Sequence, residues 1–384
     1  MPENLTNLTS APMVGDSPVT ARNYAAQAQR SLRNYVQLVE KRGLRHDAFV
    51  LTHLVHRLGE AVHFAVPDNA AILETGFRGV EDGPLRLPFP EITIEYFVPF
   101  NPEQIGDRLH APKRLIYACE VTRDSLPDWL TPVHHDMIAR SLLNWARENP
   151  QLGAGERGIL VWGAAYVQPG PNLEPIWAPE SGFWLLPERY PDSASYSQEL
   201  RRERHQRPTD SAAPFVAGRR PMLVGGMVPA MLDMFRIAMD GRPGQEDQVI
   251  ADLQRDISLE AGAVLEFIEA CSCSNIQAST LTKGIEPGSP LAKRRAADGK
   301  LPMFETKVLT IDVTGRSSAG ASGGTGGTGR ASPRMHMRRG HIRRLEDGRR
   351  IWVNNAVIGS QTNGQIQKSY AIETPQTSRP RPRG

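Results

Sequence analysis

From Ser317 to Gly329 the chain holds no side chain larger than threonine, and six of those thirteen residues are glycine. Such a segment has no apolar surface to bury and much conformational freedom to lose, so it belongs to a linker and not to a core. The chain must therefore fold on either side of it. This reading gives a flexible N-terminus at 1–20, a body at 21–314, a Gly/Ser-rich linker at 315–331, a module at 332–374 and a disordered tail at 375–384.

Charge divides at the same place. The 384 residues carry 45 Lys and Arg against 42 Asp and Glu, a formal +3. From Arg330 to Gly384 there are 12 basic and 3 acidic residues, a formal +9, which leaves −6 for everything before. An acidic body with a basic appendage points to an anionic partner met by one end of the molecule, RNA or a ribosome-like polyanion. The cations that would meet it are Arg334, His336, Arg338, Arg339, His341, Arg343, Arg344, Arg349 and Arg350, with Trp352 placed to stack on a base. The same arginines would serve equally to hold the module on the acidic body.

The body reads as α+β, a helical hairpin and further helices on a mostly antiparallel sheet. Tyr24 to Val39 has apolar residues at three- and four-residue steps, with Gly43 as a stop. A second helix follows, capped by Asp47, its stripe running from Val50 to Val62 before Pro67. The period then changes to two: Glu91 to Val98 alternates cleanly between prolines, as a half-buried strand does. Arg114 to Thr122, Gly158 to Val167, Gly182 to Leu186 and Phe304 to Val313 are further strands. Val133 to Arg147, Gly225 to Ala238 and Glu246 to Cys271 are helices. The absence of regular strand–helix alternation argues against a doubly wound fold. Pro187 to Arg220, rich in Arg, Ser and Pro, reads as a loop insert.

Beyond the linker, Asp347-Gly348 between His341–Leu345 and Arg349–Val353 signals a hairpin, and Thr362-Asn363-Gly364 between Val357–Gly359 and Gln365–Tyr370 signals a second, a small β unit in which Trp352 is also the expected packing centre.

Chemistry-bearing clusters are weak. Cys271 and Cys273 with His336 and His341 offer zinc ligand types, but Cys-x-Cys lacks the usual spacing, so no metal is assigned. His53, His56 and His63 share a face of the second helix without a carboxylate at metal spacing, and His134-His135-Asp136 begins a helix where Asp136 suits the macrodipole. The glycines at 323–327 lack the lysine and helix of a phosphate loop. No cofactor and no catalytic residue is assigned. A metal-dependent nuclease using His336 and His341, and a non-specific nucleic-acid-binding phage protein, stand as alternatives. Three cysteines cannot frame a disulfide scaffold, and no signal peptide or apolar run of membrane length is seen, so a cytoplasmic protein without membrane contact is expected.

The tail Ser332-Pro333-Arg334-Met335-His336-Met337-Arg338-Arg339-Gly340-His341, with the hairpin, Trp352-Val353 and Val357-Ile358-Gly359, resembles the C-terminal signature of a family encoded on phages and plasmids that includes a type V-A anti-CRISPR protein. Weaker agreement runs through Phe267 to Ile276, Lys293-Arg294-Arg295 and Leu301 to Glu305, so about the last third is covered. The resemblance implies a non-enzymatic α+β regulator of a mobile element in a bacterial host. It would bind a polypeptide, in the anti-CRISPR member the N-terminal nascent chain of a CRISPR effector, and lower that effector's mRNA. It carries over no peptide-contact residues.

Overall fold

The structure, a computed structural model, describes residues 19–70, 72, 84–98, 111–153, 156–167, 174–179, 183–189, 222–224, 260–311, 334–338, 341–353, 356–358 and 360–365. It is α+β, with helices on a mostly antiparallel mixed sheet and a separate two-stranded hairpin near the C-terminus.

Helix α1 (Tyr24–Lys41) buries Tyr24, Ala28, Leu32, Tyr35 and Val39, the spacing that puts one stripe on the core. The helix ends at Lys41, and Gly43 beyond it takes φ 80°, a backbone that a Cβ would oppose. Helix α2 (Arg45–Glu60) starts two residues before the expected cap, so Asp47 lies inside its first turn and Leu44 occupies the cap position. It also stops sooner than its apolar stripe. Val62–Ala65 is a strand, β1, which carries His63 off the helix and away from His53 and His56. A four-residue apolar run fits either period, and tertiary pairing decides it here: β1 lies parallel to β2 (Glu91–Phe97) on one side and to β9 (Thr306–Ile311) on the other.

From β2 the sheet continues antiparallel through β3 (Lys113–Thr122) and β4 (Arg157–Val167). β4 pairs with both β5 (Ile176–Pro179) and β6 (Phe183–Pro187), and β6 with β7 (Met222–Val224). At the opposite edge β8 (Ile276–Thr282) pairs antiparallel with β9. Helix α3 (Pro132–Glu148) begins with Thr131 accepting from the His134 N–H and with Pro132 in its first turn. Asp136 is paired with Arg140 one turn along. A fourth helix, α4, spans 260–271, and a fifth, α5 (Pro290–Ala297), lies on the surface between β8 and β9. The expected helix at 225–238, the start of the one at 246, nearly all of the 187–220 insert and the 315–331 linker lie outside the described residues.

Two cores result, one on each face of the sheet. On the first, α1, α2 and α3 pack their stripes on Leu115, Tyr117, Leu160, Trp162 and Leu185. On the second, Val264, Phe267 and Ile268 of α4 pack on Phe64, Ile92, Ile94, Ile116, Val161 and Leu309. Strand β2 is therefore not half-buried. Its polar side faces the α1–α2 layer, where each group meets a partner. Arg57 reaches Glu91 at 2.7 Å, His63 Nδ1 and the Thr93 hydroxyl lie 2.7 Å apart, and Glu95 accepts the N–H groups of Arg22, Asn23 and Tyr24 at 2.6, 3.2 and 2.6 Å. Glu95 thus supplies the N-terminus of α1 with the acceptor its own cap residue lacks. Burial pushes its carboxyl pKa up, against the three N–H bonds that pull it down.

Candidate anion-binding hairpin

Strands β11 (His341–Arg344) and β12 (Arg350–Val353) form the hairpin signalled by Asp347-Gly348, with Gly348 at φ 83°. Asp347 closes the turn, accepting from the Arg349 N–H at 3.0 Å and from its guanidinium at 2.7 Å. Those bonds hold the Asp347 carboxyl below its ordinary pKa.

Alternation gives the hairpin two sides. Ile342 and Trp352 are cross-strand partners, and both pack into the α4 core, where Trp352 is 5% exposed. A buried indole has no face left for a base, so the expected stacking role of Trp352 is corrected to an anchor. Arg344 and Arg350 pair on that same side, at its solvent end. Arg343 pairs with Ile351 on the opposite side and is exposed, as are Arg344 and Arg349.

The body meets the hairpin with the turn that follows α4. Ser274 donates its N–H and hydroxyl to the Arg350 carbonyl at 2.8 and 3.0 Å. The Asn275 amide bonds both ways to the backbone of Trp352, accepting its N–H at 2.7 Å and donating to its carbonyl at 2.8 Å. One side chain there plays the part of a neighbouring peptide unit, because an amide carries a donor and an acceptor at the spacing of a strand ladder. Arg350 Nη1 reaches the Ser272 hydroxyl at 3.4 Å.

Ser274 and Asn275 were not singled out from sequence. The signal was an asparagine just after a helix end and just before a strand, where a side-chain amide often replaces a backbone partner. The cysteines beside them serve packing. Burial pushes the Cys271 and Cys273 thiols up to about 12, which keeps them protonated, and Cys273 is in the core. Among the described residues no group of three or more His, Cys, Asp or Glu is placed to hold a metal ion.

Strand β10 (Arg334–Arg338) carries Arg334, His336 and Arg338 as the middle of a small three-stranded sheet. It pairs antiparallel with β13 (Ala356–Ile358) and parallel with β14 (Ser360–Gln365). Thr362-Asn363-Gly364 lies within β14, between Ser360 and Gln365, which pair with β10 across a register shift; the far strand expected for the second hairpin lies, from 366 to 370, outside the described residues. Arg339 lies outside the described residues, and for Arg334, His336, Arg338 and His341 the description reaches the backbone only.

Of the cations read from sequence, the structure brings Arg343, Arg344, Arg349 and Arg350 onto one hairpin. Arg349 is bound to Asp347 and Arg350 leans on the body, while Arg343 is exposed on the side of the hairpin away from Trp352. Comparison with family models, curated proteins and solved structures found no match for this chain.

Proposed function

We propose that this chain is a non-enzymatic regulator of a mobile element that joins a polypeptide to RNA. Its acidic body takes the polypeptide, a nascent chain in the reading suggested by the tail's resemblance to the anti-CRISPR family. Its basic C-terminal part contacts RNA or the ribosome, in the cytoplasm of a bacterial host, and the outcome is lowered expression of the target. The observation that carries the RNA half is the exposed Arg343, turned outward on a hairpin fixed to the body by the buried Trp352. A fixed guanidinium loses less freedom on meeting a phosphate than one on a loose arm, and it binds bidentately. The charge split between body and tail supports the same assignment.

Capture of the tagged full chain from translating cells, with and without RNase, tests it. The expected result is a polypeptide that survives RNase and RNA that is lost with it. Recovery of neither overturns the proposal.

A further inference from the structure

Strand β8 ends the sheet. Among the described residues it hydrogen-bonds along one side only, to β9. The Thr310 hydroxyl donates to the Gln277 carbonyl at 3.3 Å, so Gln277 faces β9. In an antiparallel strand the N–H and C=O of one residue point the same way and alternate from residue to residue, which turns those of Ala278 and Thr280 outward. Both residues are exposed, as is Gln277.

Edge strands are ordinarily blunted by charges, prolines, bulges or a cover. β8, Ile276-Gln277-Ala278-Ser279-Thr280-Leu281-Thr282, has neither a charged residue nor a proline. Among the described residues its one blunting device is a register shift between Thr280 and Thr282, at the far end. Immediately before β8, Ser274 and the Asn275 side chain bind the backbone of β12. Past the far end stands Lys283, exposed and in no ion pair among the described residues.

We infer that the open edge of β8 accepts an extended polypeptide segment as an added strand, bonded to the backbone of Ala278 and Thr280, with an acidic residue of that segment toward Lys283. Main-chain bonds supply affinity in such an arrangement, and the short polar side chains of β8 tolerate varied sequences. This deepens the polypeptide half of the function proposed above and rests on it.

The probe is a nine-residue peptide of alternating threonine and valine with one aspartate, placed at the N-terminus in one version and the C-terminus in the other, added to the full chain. Hydrogen exchange at the Ala278 and Thr280 amides is expected to slow about tenfold with one version, and Ala278→Pro to weaken peptide binding about tenfold. Proline on an outward edge position removes a donor without touching the β9 ladder, and an unchanged melting temperature shows the fold intact. If the variant fails to fold, the exchange measurement on the unaltered chain still decides. Protection confined to other residues, none up to millimolar peptide, or undiminished binding by a folded Ala278→Pro overturns the inference. Protection that appears without peptide and tracks dimer mass assigns the edge to a second copy and overturns it as well. If the chain captures an RNase-resistant polypeptide from cells and Ala278→Pro captures it equally, the edge inference fails while the proposed function stands.

Discussion

Two basic segments sit on the surface near the same sheet edge, and they are held in opposite ways. The β11–β12 hairpin drives Trp352 into the α4 core and shares four hydrogen bonds with Ser274 and Asn275. Helix α5, with Lys293, Arg294 and Arg295, has no fully buried residue, and its Leu291 is 54% exposed. Its excursion is closed at the neck instead, by Ile285 donating to the Met303 carbonyl at 2.8 Å and by Phe304 stacking on His63 with ring centroids 4.6 Å apart. Charge alone does not distinguish these two segments. What distinguishes them is one large aromatic with somewhere to go.

The strongest way to break this contrast is Trp352→Ala. Removing a buried indole should cost roughly 3–5 kcal/mol, seen as a lower urea midpoint, and limited proteolysis should cut first between 341 and 353. If stability is unchanged, the hairpin is not anchored by its tryptophan.

Next is acid. Burial lowers the His63 pKa from 6.5 to about 4, so the folded state holds the ring neutral where the unfolded chain would protonate it. The unfolded state then binds more protons between those two values. Stability is fully present above pH 6.5 and falls by up to about 3 kcal/mol as the pH drops toward 4. Urea midpoints at pH 7 and 5 should differ in the natural protein and differ less in His63→Asn. Because His63 stacks on Phe304, the loss should loosen the α5 excursion before the hairpin.

Asn275→Ala leaves a buried N–H and a carbonyl of Trp352 without their partner and should cost about 2 kcal/mol, measured by the same titration. Arg343→Ala should leave stability alone, reduce affinity for single-stranded RNA and flatten its salt dependence by about one ion. Smallest of all, Leu291→Ala should change stability by no more than about 0.5 kcal/mol, since that side chain is already in water. A larger loss would mean α5 packs against something.

Much of the layer structure was readable beforehand. Strands β3, β4 and β6 and helices α1 and α3 fall within a residue or two of their expected bounds, because each carries a long single period. The hairpin at Asp347-Gly348 followed from turn chemistry. What was not readable had a common cause. β1, β8 and β14 are short or polar runs whose state is set by the strands beside them, and α5 is a helix that its own core never asked for. Clean alternation in β2 implied a wet face, yet Glu91, Thr93 and Glu95 are covered and paired, since partners seventy residues away along the chain, such as the N-terminus of α1, supply the bonds that water would.

For the candidate site the division is similar. Sequence determined where positive charge accumulates, where the chain turns and which residue of the tail is its large aromatic, because these depend on composition and on bonds between near neighbours. Only the tertiary structure decided that Trp352 points into the body, that Asn275 receives its backbone, that Arg343 is left outward and that, among the described residues, β8 pairs on one side only. Each of those depends on which surfaces meet across long separations in sequence, and burial of apolar area, being non-directional, does not announce its partners in the order of the residues.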